Sequence, residues 1–273
     1  MAYPIFDETM VELPWTEIEK FAQMGSPVIL PVSIIEEHGP HMDLAPDVYL
    51  VHKLAKDVKS LLAGKGVQAL ISPPMFWGIS ECTANFPGTF SVRPETMISL
   101  LTDLVRCLYD WGFRQIFIIN VHDDPLHLQT IIKAIELIKS QLAVHIFFLK
   151  EKNIIPLLNI SEANRNSLLP FESEIDGMEF SWSDFADIHA GGEETSSMLN
   201  DFPNSVFKAN LSNLKDSKVT YDQLGNWKFD IARKLTPLGY MGNPANINLK
   251  VSKKIDSFIA RSIATEILNY VRD

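Results

Sequence analysis

The sequence predicts an α/β fold with a mostly parallel sheet and helices on both of its faces. Short apolar runs, typical of strands buried on both faces, alternate along the chain with segments of helical periodicity. Such strand–helix alternation favours parallel strands joined by helical crossovers. The chain has neither an internal repeat nor a linker-like segment, so we expect a single domain over residues 1–273.

Four predicted strands and four predicted helices follow in order. The strands are the apolar runs at residues 28–32, 67–72, 115–120 and 142–149. Apolar residues spaced by three and four predict helices at 50–61, from Pro94 to 108, at 128–138 and at 252–271, with Pro94 suited to a first helical turn. Residues 151–187 are rich in Asn, Ser and acidic residues without a sustained period, which indicates a lid, an oligomer contact or a surface excursion.

Composition narrows the range of partners. The 34 acidic residues exceed the 24 Lys and Arg, giving a formal charge of −10. This charge and the lack of a basic block argue against nucleic acid and anionic lipid as partners. The sequence shows neither a signal-peptide pattern nor an apolar run long enough to cross a membrane, so we expect a cytoplasmic protein. Cys82 and Cys107 cannot form a disulfide scaffold or a four-cysteine zinc site.

Residues able to bind metal follow the predicted strands, where ligands bind in open α/β sheets. Glu36 and His38 follow the first strand, and their spacing of two directs both side chains the same way in extended backbone. Asp47 opens the next helix, and His122 with Asp124 follows the third strand. A later segment, residues 187–196, contains His189 and Glu194.

Each of these residues also has an ordinary structural interpretation. Asp47 is a good helix N-cap, and Glu36 with His38 would suit a surface loop or a cap. His122 alone could be a hydrogen-bonded loop histidine, and His189 a buried imidazole that ties a turn to its neighbour. Together at the ends of parallel strands, they favour a metal site. Imidazole plus carboxylate without thiolate suits Zn, Mn or Fe(II), and a bridging carboxylate can hold two divalent ions.

Five segments along the chain contain distinctive motifs. Residues 31–47 contain Glu-x-His-Gly-Pro-His and a following Asp, and residues 85–89 contain Phe-Pro-Gly-Thr. Residues 112–122 contain Gly-Phe-Arg, a predicted strand and Asn-Val-His, and residues 189–196 contain His-Ala-Gly-x-x-Glu-Thr-Ser. Residues 239–244 read Gly-Tyr-Met-Gly-Asn-Pro. In this order, the segments resemble the motifs of the creatininase (creatinine amidohydrolase) family, whose third motif has Asn-Gly-His and whose fifth is a Gly-Asp-Pro turn.

The resemblance implies a three-layer, doubly wound α/β/α domain, a homohexamer and a two-metal amidohydrolase site with Zn, Mn or Fe(II). By position, Glu36 and His122 would bind one ion and His38 the other, with Asp47 bridging. Either Asp124 or Glu194 would complete the second site. His189 and Glu194 are the candidate catalytic residues, with His189 relaying a proton to the leaving nitrogen. The remaining candidates, for substrate binding, are His41, Trp77 and Trp182.

The sequence departs from the family pattern at four positions. Val121 replaces a glycine, Asp123 and Asp124 replace Gly-Gly or Tyr-Glu, and Ile188 stands where creatininase has an acid. Creatinine is therefore not the favoured substrate, and the sequence predicts a metal-dependent hydrolase of a small non-peptide amide, either cyclic or a formamide. The alternative is an inactive metal- or ligand-binding protein of the same fold. A Rossmann nucleotide site and a serine-elbow hydrolase are not supported, since neither glycine motif occurs.

Overall fold

A five-stranded parallel sheet forms the centre of the protein. The computed structural model describes residues 3–158 and 165–272. The strands are β1 (Val28–Pro31), β2 (Leu70–Ile71), β3 (Gln115–Ile119), β4 (His145–Glu151) and β5 (Leu168–Phe171). Their spatial order is β2-β1-β3-β4-β5, with every neighbouring pair parallel.

Eight α-helices lie within the described residues. They are α1 (Trp15–Gln23), α2 (Pro46–Ala63), α3 (Pro94–Asp110), α4 (Pro125–Gln141), α5 (Gly192–Asp201), α6 (Lys208–Leu211), α7 (Phe229–Leu235) and α8 (Leu249–Arg272). Short 3-10 helices occur at Met10–Glu12, Ile155–Leu158, Pro203–Ser205 and Tyr221–Asn226. Proline begins α2, α3 and α4, where its missing N–H has no helical partner to lose. Within the described part of the chain, no helix is both long and apolar enough to span a bilayer.

The apolar core has two layers, one on each face of the sheet. Alternate strand residues point to opposite faces, so Leu30 and Ile118 pack towards α3 and α4. Ile29 and Phe117 pack on the other side, towards α2 and α8. All four side chains are buried. This arrangement confirms the predicted α/β class, with a parallel sheet between two helical layers.

β5 was missed from the sequence. It lies inside residues 151–187, which showed no period, and it consists of only four residues including Pro170. Proline lacks the N–H that a central strand must donate, but β5 is an edge strand that pairs with β4 alone. The interpretation of this segment as irregular throughout was therefore wrong for residues 168–171.

The strand order places the crevice for a ligand between β1 and β3. β2 lies to one side of β1, whereas β3, β4 and β5 lie to the other, so the connections diverge at this point. Open α/β sheets bind ligands at such switch points, beyond the carboxyl ends of the strands. The loops that follow β1 and β3 carry Glu36, His38 and His122, three of the predicted metal-binding residues, and meet here.

Candidate metal centre

Three side chains meet between the ends of β1 and β3. The Nδ1 atom of His122 lies 3.0 Å from Oε1 of Glu36 and 3.3 Å from Oδ2 of Asp47. Asp47 belongs to the first turn of α2, whereas Glu36 and His122 follow strands. All three residues are buried. Their ligand atoms lie within 4.8 Å of one another, close enough to surround a single ion.

A second set shares Asp47 with the first. Nε2 of His38 lies 3.6 Å from Oδ1 of Asp47 and 3.1 Å from Oε1 of Glu194. The two oxygens of Asp47 therefore face two different imidazoles. Glu194 comes from the first turn of α5, where its Oε2 accepts the Ala190 N–H at 2.7 Å. Its side chain is 20% exposed, the most open of these carboxylates.

His189 extends this cluster on a third side. Its Nδ1 atom lies 3.6 Å from Oε1 of Glu36, and its ring centroid lies 4.5 Å from that of His38. Nε2 donates to the backbone carbonyl of Glu37 at 2.9 Å, and the Trp227 ring packs 5.6 Å away on another side. His189 is thus held by contacts that leave Nδ1 directed at the Glu36 carboxylate.

The imidazoles of the two sets are oriented by backbone carbonyls. His122 donates from Nε2 to the Ile79 carbonyl at 2.9 Å, and His38 donates from Nδ1 to the Glu36 carbonyl at 3.1 Å. Each bond holds a ring proton on the outer nitrogen, so the inner nitrogen, which faces the carboxylates, is the one that can give up its proton and bind a cation. Metal-binding histidines are typically anchored in this way.

The charges at the centre perturb the pKa values of its members. Burial favours the neutral imidazole, but the facing Glu36 and Asp47 raise the pKa of His122 well above its ordinary value. Glu194 and Asp47 raise the pKa of His38 in the same way. Burial likewise opposes ionisation of Glu36, yet the facing His122 and His189 lower its pKa to about 2. The imidazoles are thus poised to exchange protons for a cation.

The donor atoms fit divalent ions. Two ligands at ~2.1 Å from a tetrahedral ion lie about 3.4 Å apart, close to the 3.0–3.6 Å separations between the nitrogen and carboxylate oxygens here. Oδ2 of Asp47 is also buried and forms no hydrogen bond of good geometry, although Nδ1 of His122 faces it at 3.3 Å. A buried carboxylate needs a positive charge beside it, which either a protonated His122 or a bound cation supplies. A nitrogen–oxygen donor set without thiolate suits Zn or Mn.

Asp124 does not join these groups. Its Oδ1 accepts the N–H groups of Leu126 and His127 at 2.9 and 3.2 Å, so that Asp124 is the N-cap of α4. Its Oδ2 accepts the Glu81 N–H at 2.8 Å. Both carboxylate oxygens are used by backbone donors. Of the two acids left open by the sequence, the structure brings Glu194, not Asp124, against His38.

Local contacts account for two of the other departures from the family pattern, Asp123 and Val121, but not for Ile188. Asp123 forms an ion pair with the buried Lys150 at 2.5 Å. Val121 packs with the apolar layer beneath α2 and α8, and the Ile188 side chain is 48% exposed. None of these three residues belongs to the groups of potential ligands found among the described residues.

The predicted substrate-binding residues lie in different surroundings. His41 is fully buried, with Nε2 3.0 Å from the Thr195 hydroxyl, and burial lowers its pKa to about 4. Trp77 is 41% exposed and packs beside Phe90. Trp182 is buried next to Phe180 and the N-terminus of α5. Of the three, Trp77 alone offers a substantially exposed ring to a ligand.

Sequence reasoning missed two residues that support the centre. The Thr83 hydroxyl donates to Oε2 of Glu36, and Thr89 contributes through its Oγ1, which accepts the Glu37 N–H at 3.2 Å. Thr89 belongs to the Phe-Pro-Gly-Thr element, so that motif contained the signal. Thr83 belongs to no such motif, and its contact with Glu36 depends on how the loop folds over that carboxylate.

Asp187 is a further residue that supports the centre, through hydrogen bonds to the backbone around the start of α5. Its carboxylate accepts the N–H groups of Gly192, Glu193 and Asn243 at 2.9, 3.3 and 3.1 Å. A Cβ on Gly191 would lie 2.3 Å from this carboxylate, so glycine is required for the approach. Asp187 therefore anchors the start of α5, the helix that carries Glu194.

Comparison with known proteins gives a consistent result. The mycofactocin precursor peptide peptidase of Mycobacterium ulcerans is 23% identical over 84% of this chain and 79% of its own length. The creatinine amidohydrolase of Pseudomonas putida is 32% identical over 41% of this chain and 43% of its own length. A crystal structure of creatininase shares the fold with a TM-score of 0.69 at 20% identity, covering 95% of this chain and 96% of that one.

Other solved structures with this fold include a manganese creatininase and a variant described as a Zn–Zn type. The family model for creatinine amidohydrolase matches residues 11–267, nearly the whole chain. The chain therefore belongs to the creatininase family.

Proposed function

We propose that this protein is a two-metal hydrolase that cleaves the C–N bond of a small amide. The observation that carries the proposal is the position of Asp47, whose two oxygens face two separate donor sets. Glu36 and His122 complete one set, and His38 and Glu194 complete the other. A carboxylate shared in this way is the usual bridge between two divalent ions.

Zn and Mn are the ions that we propose, with Fe(II) as a third possibility for the same ligands. The donor set supports this choice, since imidazole and carboxylate without thiolate suit these ions. The manganese and zinc forms of solved creatininases support it independently. When bound, the ions would lower the pKa of water and polarise the substrate carbonyl.

His189 is the residue that we propose to carry the proton. Its Nε2–H is held by the Glu37 carbonyl, so Nδ1 is the atom free to accept a proton at the centre. Buried beside Trp227, it is shielded from bulk water. Nδ1 can then return the proton to the leaving nitrogen, as a positioned imidazole does in general acid–base catalysis.

The substrate enters past Glu194, on the most exposed side of the cluster. We propose a cyclic amide or a formamide as the substrate. The exposed ring of Trp77, which packs beside Phe76 and Phe90, offers it an apolar surface. Creatinine remains possible but is not favoured, because Ile188 stands in place of an acid. A short peptide is a second candidate, favoured by the similarity over 84% of the chain to a peptide peptidase.

Activity of the metal-loaded protein tests this proposal. The protein would be stripped with a chelator, reloaded with Zn or Mn, and assayed against creatinine, cyclic imides, formamides and short peptides, with Asp47→Ala as the inactive control. We expect turnover of one small amide that requires metal and Asp47. Metal binding without turnover of any substrate would favour the inactive binding protein, and turnover of peptides alone would replace the small amide. Failure to bind metal would contradict both interpretations.

The assembly and location that we propose follow family resemblance and composition. We propose a cytoplasmic homo-oligomer, a hexamer by resemblance, that acts on a small molecule and binds neither nucleic acid nor membrane. The acidic balance of the chain supports the last point. Sedimentation of the purified protein measures the assembly directly, and a monomer would contradict the hexamer.

A further inference from the structure

The loop of residues 78–83 lies against both His122 and the first turn of α4. The Ile79 carbonyl accepts the Nε2–H of His122 at 2.9 Å, while the Ile79 N–H donates to Nδ1 of His127 at 3.2 Å. One backbone residue therefore connects two histidines. The rings of His122 and His127 meet edge to face, with centroids 4.9 Å apart.

Asn120 closes this connection into a cycle. Nε2 of His127 lies 3.1 Å from Oδ1 of Asn120, and Nδ2 of Asn120 donates to the backbone carbonyl of His122 at 2.6 Å. His127 is fully buried, and Asn120 and His122 are nearly so. Every member of the cycle is therefore both shielded from water and paired with a second member.

The cycle has one consistent arrangement of protons. Nδ1 of His127 must be unprotonated, because the Ile79 N–H points at it. The ring proton then lies on Nε2, which requires the Asn120 oxygen opposite, and the Asn120 amide nitrogen is left to face the His122 carbonyl. Neutral His127 is thus the form that this network accepts.

The loop packs closely against His127. A Cβ on Gly78 would lie 2.7 Å from Cε1 of His127 and 2.6 Å from the Ser33 carbonyl oxygen, so the backbone is packed between these groups. Asp124 holds the same loop at Glu81, two residues after Ile79. These contacts keep Ile79 in the position in which its carbonyl accepts the Nε2–H of His122.

We propose that His127 is a positioning residue that acts through Ile79 to set the tautomer and orientation of His122. The inference rests on the proposed function, since it assigns a purpose to the Nδ1 atom of His122 that faces Glu36 and Asp47. Removing the acceptor on His127 leaves the Ile79 N–H buried and unpaired, so the loop must shift and the carbonyl moves with it. His122 then loses the bond that keeps its proton on Nε2.

The chain allows the two bonds of His127 to be separated. In His127→Asn, the side-chain oxygen occupies the place of Nδ1 and can still accept from Ile79. In His127→Gln, the amide nitrogen occupies the place of Nε2 and can still donate to Asn120. His127→Leu retains neither bond. Thr130→Val is the matched control, since it removes a buried hydroxyl bond to Leu126 in the same helix without touching the cycle.

Two measurements test the proposal. The first is the Zn²⁺ affinity of stripped protein by competition with a chelator, and the second is the protonation of the His122 ring nitrogens, from ¹H–¹⁵N spectra of histidine-labelled, Zn-loaded protein. We expect His127→Leu and His127→Gln to weaken the Zn²⁺ site that contains His122 by about 10–100-fold, as loss of a partner behind a metal ligand typically does. His127→Asn should recover most of this loss, and Thr130→Val should leave affinity unchanged.

The outcomes distinguish this proposal from the function on which it rests. If wild-type protein binds no Zn²⁺, the proposed function fails and this inference fails with it. If wild-type protein binds Zn²⁺ and His127→Gln binds it equally well, with the His122 proton still on Nε2, only the positioning role is overturned. Equal losses of Zn²⁺ affinity in His127→Asn and His127→Gln would also overturn it, because the bond to Ile79 would then contribute no more than the bond to Asn120.

Discussion

Glu194 lies in the first turn of α5, and Asp124 is the N-cap of α4. Substituting each of them in turn should separate the contribution of an acid to metal binding from its contribution to helix capping. In Glu194→Gln, the second donor set loses its charged ligand opposite His38. We expect the affinity of that site for Zn²⁺ to fall by more than about 100-fold, beyond the loss typical for groups behind a ligand. In the metal-free protein, the amide oxygen of Gln can still accept the Ala190 N–H, so the unfolding free energy should fall only through the lost pairing with the buried His38.

Asp124→Asn should do the reverse. The amide oxygen still caps α4, but the nitrogen replaces the Oδ2 atom that accepts the Glu81 N–H. Losing a charged acceptor costs about 1.5–3 kcal/mol, and losing the negative charge at a helix N-terminus adds about 0.3–1 kcal/mol. With an unfolding entropy of about 2.1 cal/mol/K per residue over 273 residues, the total of roughly 2–4 kcal/mol corresponds to a fall in Tm of roughly 3–7 °C. Zn²⁺ affinity should fall far less than in Glu194→Gln, because Asp124 reaches the centre only through its bond to the loop of residues 78–83.

Thermal unfolding of metal-free protein and chelator competition with Zn²⁺ measure the two quantities. Glu193→Gln is the matched control, since it removes an acid next to Glu194 that belongs to neither donor set. A loss of Zn²⁺ affinity in Asp124→Asn as large as that in Glu194→Gln, or unchanged affinity in Glu194→Gln, would refute the assignment of Glu194 to the second site.

Three further substitutions test other parts of the structure. Burial raises the pKa of Asp256 to about 6, so the folded state keeps the carboxyl proton between about pH 4 and 6 and loses stability as the pH rises through that window. Asp256→Asn should therefore recover up to about 3 kcal/mol of unfolding free energy at pH 8 but little at pH 4, measured by urea unfolding. An unchanged pH profile would contradict this. Gly239 has φ +73°, and a Cβ there would lie 2.0 Å from the Glu37 carboxylate, so Gly239→Ala should cost at least about 1 kcal/mol in the same assay, and a neutral effect would show that the contact relaxes freely. Lys150→Met would leave Glu151 buried without its cation and should cost about 3 kcal/mol at pH 7, whereas a gain in stability would show that the ion pair is dispensable.

Local patterns predicted the sheet and its helices because burial on both faces imposes a simple sequence rule. Central strands such as β3 are almost uniformly apolar, and the helices that cover them repeat every three to four residues. β5 does not follow this rule. It lies at the edge, contains Pro170 and is held by pairing with β4, a long-range contact that a local pattern cannot reveal.

The site divides in the same way. Motif positions indicated Glu36, His38, Asp47 and His122 as candidates, because the ends of adjacent parallel strands must meet. The choice between Asp124 and Glu194 depended on which backbone donors surround each acid, and the sequence does not contain that information. The connection of His127 to His122 through the Ile79 backbone depends on the fold of the loop at 78–83, which no local pattern reveals.

The number of ions that depend on Asp47 tests the central claim most directly. Native mass spectrometry of stripped and Zn-reloaded protein counts the ions bound to each chain. We predict two ions for the wild type, one for Glu194→Gln, and none at comparable Zn²⁺ concentration for Asp47→Ala, since both sets share that carboxylate. One ion or none in the wild type, or loss of a single ion in Asp47→Ala, would contradict a bridged two-metal centre.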